Sequence, residues 1–81
     1  MQTRMSHTFT DENLLTWEAF ASSGNFGFAE RPRVVFNCLS DPDTPPRYVE
    51  RPGDEADAEG EVREYDPQQL RDMLSQSRPL D

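Results

Sequence analysis

Apolar residues in this chain gather in short blocks between turn-forming and charged runs, and the spacing within each block predicts an element. In residues 33–40, RVVFNCLS, the side chains of Val34, Phe36 and Cys38 fall on one side and those of Val35, Asn37 and Leu39 on the other. That period of two is a strand. Apolar groups on both sides predict a central strand, or one covered on both faces. Upstream, HTFT and LLTWEAFA flank Asp11, Glu12 and Asn13, residues with turn chemistry, so this part reads as a hairpin. Asn13 suits the left-handed conformation a tight turn needs. Leu, Glu and Ala in the second half also suit a helix; Thr16, Trp17 and Phe20 favour the pleated reading. Residues 41–46, DPDTPP, force a turn because proline fixes φ and lacks a donor. RYVE, residues 47–50, is then a short strand stopped by Pro52 and Gly53.

The pattern changes period at YDPQQLRDMLSQSRP. Asp66 stands where an N-cap belongs, Pro67 fits the first helical position, and Gln69 completes a capping box. Tyr65 and Leu70 occupy the two positions of a hydrophobic staple. Leu70, Met73, Leu74 and Ser77 recur at helical spacing, and Pro79 predicts an end near Ser77 or Arg78. At about twelve residues such a helix is marginal alone. Its stripe must dock, and the sheet is the available partner. The expectation is therefore an α+β fold: a small three- to four-stranded antiparallel sheet with one C-terminal helix packed on a face.

Composition limits this picture to one domain. The chain has 81 residues, only 33% apolar, with mean hydropathy −0.91. Its core must be thin. An ordered body over residues 6–78 is expected, with flexible loops at 22–32 and 51–62. Trp17, Phe20, Phe36 and Tyr48 are assigned to the core.

Sixteen acids face eight arginines and no lysine, for a net charge of −8. Direct nucleic-acid binding and attachment to anionic membranes are disfavoured, since both need a positive face. No apolar run reaches the length of a membrane span, and no apolar block follows Arg4 as in a signal peptide. A cytoplasmic location follows as the default. Residues 53–66 hold seven acids and one arginine. Three readings compete. As a calcium loop, Glu55, Asp57, Glu59, Gly60, Val62 and Asp66 fall near the required positions. But Asp66 is short for bidentate ligation, and Pro52-Gly53 leaves no entering helix. As a phosphate decoy, the run lacks the periodicity of a rigid element. The favoured reading is a solvated loop whose last acids, Glu64 and Asp66, suit the positive end of the next helix.

Catalytic signatures are missing. There is no phosphate-binding glycine loop, HExxH or CxxC. His7 and Cys38 are single, too few for zinc and plausible as a nucleophile pair only if two strands bring them together. Cys38 is more simply a small apolar strand residue. A domain this small rarely builds a substrate cleft. The chain is read as non-enzymatic, with no cofactor, metal or small-molecule substrate.

What remains is interaction. Phe26 and Phe28 alternate around Gly27 in the loop SSGNFGFAERP, suited either to capping the sheet or to anchoring a protein partner. Arg31 and Arg33 would be rim contacts, and the edge formed by RYVE, with Arg47 and Tyr48, is a second candidate. The expected function is a small acidic accessory domain that binds a protein partner or self-associates. The alternative is an acidic inhibitor or nucleic-acid mimic that captures a basic protein surface.

The order LLTWEAF, RVVFNCLS, RYVE and DPQQLRDMLSQSRPL, over roughly residues 9–80, resembles a type of small uncharacterised bacterial α+β domain. In that type a Trp-Glu strand, a hydrophobic strand, an Arg-Tyr strand and a short Leu-rich helix follow one another. The chain departs from it in the SSGNFGF loop and the acid insertion. The resemblance implies a bacterial α+β domain and no catalytic residues.

Overall fold

Strand alternation builds the sheet, and local caps build the helices over it. In the computed structural model, which describes residues 6–22 and 32–80, five strands pair antiparallel in chain order. They are β1 (Ser6–Thr10), β2 (Thr16–Ser22), β3 (Arg33–Cys38), β4 (Arg47–Glu50) and, after two helices, β5 (Arg78–Pro79). The helices are α1 (Glu55–Glu64) and α2 (Pro67–Ser75). The fold is α+β, with five strands where the sequence pattern indicates three to four, and two helices where it indicates one. Among the described residues, no helix is long and apolar enough to cross a membrane.

Register sorts the side chains. Phe9, Trp17 and Cys38 share one rung of the pleat; His7, Ala19, Phe36 and Arg47 share the next; Ala21, Val34 and Val49 share the third. These rungs lie under the helices. Phe36, Val34 and Ala19 are fully buried there, with Ala58 and Val62 of α1 and Leu70 and Met73 of α2. Phe9 and Phe36 meet edge to face at 6.0 Å, the arrangement aromatic quadrupoles prefer. Leu74 is half-buried against the same cluster, so the α2 stripe docks as its spacing indicates.

The hairpin turn is tied by Asp11. Its Oδ1 accepts from the amides of Asn13 and Leu15, at 2.8 and 2.9 Å, and its Oδ2 accepts from Trp17 Nε1 at 2.8 Å. The left-handed residue is Leu14, φ 68°, not Asn13. With Asn13 held by the Asp11 side chain, the reversal falls one residue later, and the Leu14 side chain projects into solvent. Partial burial raises the pKa of Asp11. The hydrogen bonds from Trp17, Leu15 and Asn13 outweigh it, so the carboxyl ends below its ordinary value.

The acid run is the main correction. Residues 51–62 were expected as a loop, yet Glu55–Glu64 is helical. Three local devices start it. Gly53 takes φ 89°, where a Cβ would strike the Asp57 carboxylate. Asp54 caps the helix by accepting from the Asp57 amide, and the Asp57 side chain accepts from the Asp54 amide in return. Acids in the first turn and Arg63 in the last complement the helix dipole. One apolar edge, Ala58 and Val62, then packs on β2 and its neighbours. Arg51 holds the helix to the end of β4: Nε and Nη2 reach the two oxygens of Glu61 at 2.7 and 3.0 Å. The Glu61 hydrogen bonds raise the Arg51 pKa. The positions read as calcium ligands thus sit on α1 and at the N-cap of α2, not in a loop. Among the described residues no cluster of His, Cys, Asp and Glu is arranged to hold a metal.

α2 starts as its sequence indicates, with Asp66 and Gln69 forming a reciprocal capping box and Pro67 in the first turn. It ends at Ser75, earlier than expected. The reason is tertiary. Ser77 is buried, and Arg47 donates to both its Oγ (2.8 Å) and its carbonyl (2.6 Å). This pulls Arg78 and Pro79 out of helix and onto β4 as β5.

Candidate functional site

Because the side-chain period in a strand is two, whatever is not under the helices lies on the opposite, far face. The register builds that face rung by rung. One rung crosses all five strands: Ser6, Phe20, Val35, Tyr48 and Arg78. Beside it lie Ser22, Arg33 and Glu50 on one side, and Thr8, Glu18 and Asn37 on the other. Thr10, Thr16 and exposed Leu39 continue at the turn end. Among the described elements none packs over this face, and Phe20 and Arg33 on it each have a further partner.

Its centre is apolar. Val35 is buried, flanked on its rung by half-buried Phe20 and Tyr48. The Arg33 guanidinium lies over the Tyr48 ring, 4.8 Å from its centroid. Such a pair contributes about 0.5–1 kcal/mol at an exposed site and holds both side chains in one arrangement. At the outer end, β5 covers only the first two residues of β4. Beyond it a hollow of about 240 Å³ is lined by Tyr48, Val49, Glu50, Gln76 and Arg78.

Charge is divided between the two layers. On the far face Arg33 and Arg78 balance Glu18 and Glu50. Residues 54–72 of the helix layer hold eight acids against Arg63 and Arg71. Helix geometry therefore sets most of the excess carboxylate on the side away from the Phe20–Val35–Tyr48 rung.

The candidates read from the sequence separate accordingly. Arg33 and Tyr48 come together on the far face. Arg47 pairs with Phe36, three register positions from Arg33, so it points the other way and is taken up by Ser77. The edge that RYVE was expected to expose is half covered, since β5 pairs with Arg47 and Tyr48. Phe26, Phe28 and Arg31 lie outside the described residues. Phe20 and Tyr48, expected in the core, stand on the face opposite it, because each has the strand parity opposite to its buried neighbours. Parity in β2 was the signal available for Phe20; Arg78 had no signal before β5 was known. His7 and Cys38, weighed as a nucleophile pair, sit two strands and one rung apart, with Cys38 Sγ nearest to Ser40 Oγ at 3.9 Å.

Comparison with protein-family models, with curated proteins and with solved structures returns no match for this chain.

Proposed function

We propose that this chain is a small, acidic, non-enzymatic module that binds a protein partner through the far face of its sheet. The observation supporting this is the aligned rung Phe20–Val35–Tyr48 with Arg33 stacked on it. A sheet face that only meets water alternates to polar residues throughout. This one turns apolar at its centre and polar at its margin, the anatomy of a protein interface. Aromatic and arginine side chains carry most interface energy. At about 4.8 Å per strand, the five-strand row from Ser6 to Arg78 spans roughly 20 Å and its apolar centre about 10 Å, the size of a central anchor cluster within a modest interface. Local charge balance favours recognition by shape and apolar contact.

The test pairs a far-face variant, Phe20→Ser with Tyr48→Ser, against a helix-layer variant with Asp57, Glu59 and Glu64 neutralised. Both are used as affinity baits in the native lysate and run in light scattering over a concentration series. The far-face variant is expected to lose the bound partner while the neutralised variant keeps it at raised salt. Retention of every partner by the far-face variant refutes the reading. Concentration-dependent dimers lost with the same variant would identify a second copy as the partner.

A second reading, the acidic inhibitor or nucleic-acid mimic, gains from one observation. Its carboxylates ride on a docked helix, which supplies the rigidity the sequence did not suggest. It predicts the reverse outcome: salt-sensitive capture of a basic protein, lost on neutralising the helix acids.

A further inference from the structure

The two edges of the sheet are built differently. β5 is two residues long and contains Pro79, which has no donor, so this edge cannot template another strand. β1 has none of those defences. Its five residues, SHTFT, include no proline, acid or arginine, and its register with β2 runs without a bulge.

Alternation fixes which backbone groups of β1 face outward. The Asp11 amide donates to the Leu15 carbonyl at 2.9 Å, so odd positions face β2. The Thr10 carbonyl faces the other way, where it accepts from Arg71 Nη1 at 2.9 Å. By the same alternation, the amides and carbonyls of Ser6 and Thr8 point off the sheet. No described residue takes them.

Directly beside them is a groove of about 350 Å³ between β1 and the start of α2, lined by Ser6, His7, Thr8, Tyr65, Pro67 and Leu70. His7 shares its rung with Ala19, so this groove lies on the helix side of the sheet. A strand laid along β1 would place alternate side chains in it, against Tyr65, Pro67 and Leu70. The exposed carboxylates Glu64 and Asp66 adjoin Tyr65 and Pro67 in the chain, and the whole helix layer is acidic.

We infer that the β1 edge and the adjoining α2 groove bind an extended peptide by strand addition, with apolar residues on one side of the peptide and basic residues between them. The unmatched main-chain groups require an extended occupant. The groove lining selects apolar side chains on one face of it, and the helix layer selects positive charge. A second copy of this chain fits poorly. Pairing β1 with β1 would bring two helix layers, each acidic overall, side by side along the seam, and like charges there repel.

The probe is a short fluorescein-labelled peptide alternating arginine and valine, read by anisotropy against the full chain. Saturable binding is expected, weakening as salt rises. N-methylation of one alternate set of peptide amides should weaken it about tenfold or more, because those amides meet the edge. Methylation of the other set should leave it within about twofold. Thr8→Pro should abolish binding while Trp17 fluorescence and far-ultraviolet dichroism stay native, since the Thr8 amide makes no bond to β2. If Thr8→Pro does not fold, the two methylated peptides decide the matter on the unaltered protein. No saturable binding, equal loss with both methylated sets, or equal affinity for a glutamate–valine peptide would overturn the inference. Phe20→Ser with Tyr48→Ser should bind the peptide normally, which keeps this site distinct from the far face.

Discussion

Val62→Ala tests whether the acid-rich run is a docked helix. Val62 is fully buried between α1 and the sheet. Removing two buried carbons forfeits about 1.6 kcal/mol of transfer free energy. The cavity left behind adds roughly 1 kcal/mol. Alanine is the better helix former, which returns about 0.5 kcal/mol. The net loss is about 2 kcal/mol. A domain of this size has roughly 4–12 kcal/mol in all, so the change is a large fraction of the whole. At about 4–8 °C per kcal/mol it lowers Tm by roughly 8–16 °C. The assay is thermal and urea unfolding followed by Trp17 fluorescence, which reports the sheet and not α1 directly. Arg63→Ala, one residue on and exposed, is the control and should stay within about 0.5 kcal/mol. If Val62→Ala unfolds like the wild type, or no worse than Arg63→Ala, the run is not packed on the sheet and the helix assignment fails.

Two further outcomes follow from local contacts. Asp66→Ala removes the cap of α2 and should cost about 1 kcal/mol, seen as a lower urea midpoint at unchanged slope; an unshifted midpoint would show that the box contributes nothing. Asp11→Asn tests the depressed carboxyl. A folded-state pKa below the unfolded value means the stabilisation is fully present above the ordinary value of 3.8 and is lost as pH falls below it. The wild type should therefore lose stability more steeply than Asp11→Asn as urea midpoints are followed from neutral pH into acid; parallel curves would refute a role for the Asp11–Trp17 bond.

The groups of the two proposed surfaces were unequally visible in the sequence. Arg33 and Tyr48 drew notice as residue types, but their stacking depends on strand register. Phe20 looked like core because it is aromatic, although its parity with Trp17 put it on the other face. The β1 edge could not be identified at all until the strand order left it without a neighbour.

Much of what is decided within a few residues was legible in the sequence, though the Asp54–Asp57 cap and the Leu14 turn were not. The alternation of Val34, Phe36 and Cys38 made a strand with one buried face. Asp66, Pro67 and Gln69 started α2 through contacts spanning one turn. Turn chemistry placed the hairpin between Thr10 and Thr16. The tertiary structure decided the rest. Ala58, Val62 and Tyr65 stand at helical spacing, and Asp54 and Asp57 form a cap. But that stripe is narrow, Gly60 weakens the helix from its other side, and the sheet burying its apolar edge and Arg51 gripping Glu61 hold α1 in place. β5 exists because Arg47, thirty residues before Ser77, takes that serine and its carbonyl. Short-range geometry is written in neighbouring residues, whereas marginal elements take their conformation from the apolar surface and hydrogen bonds of distant ones.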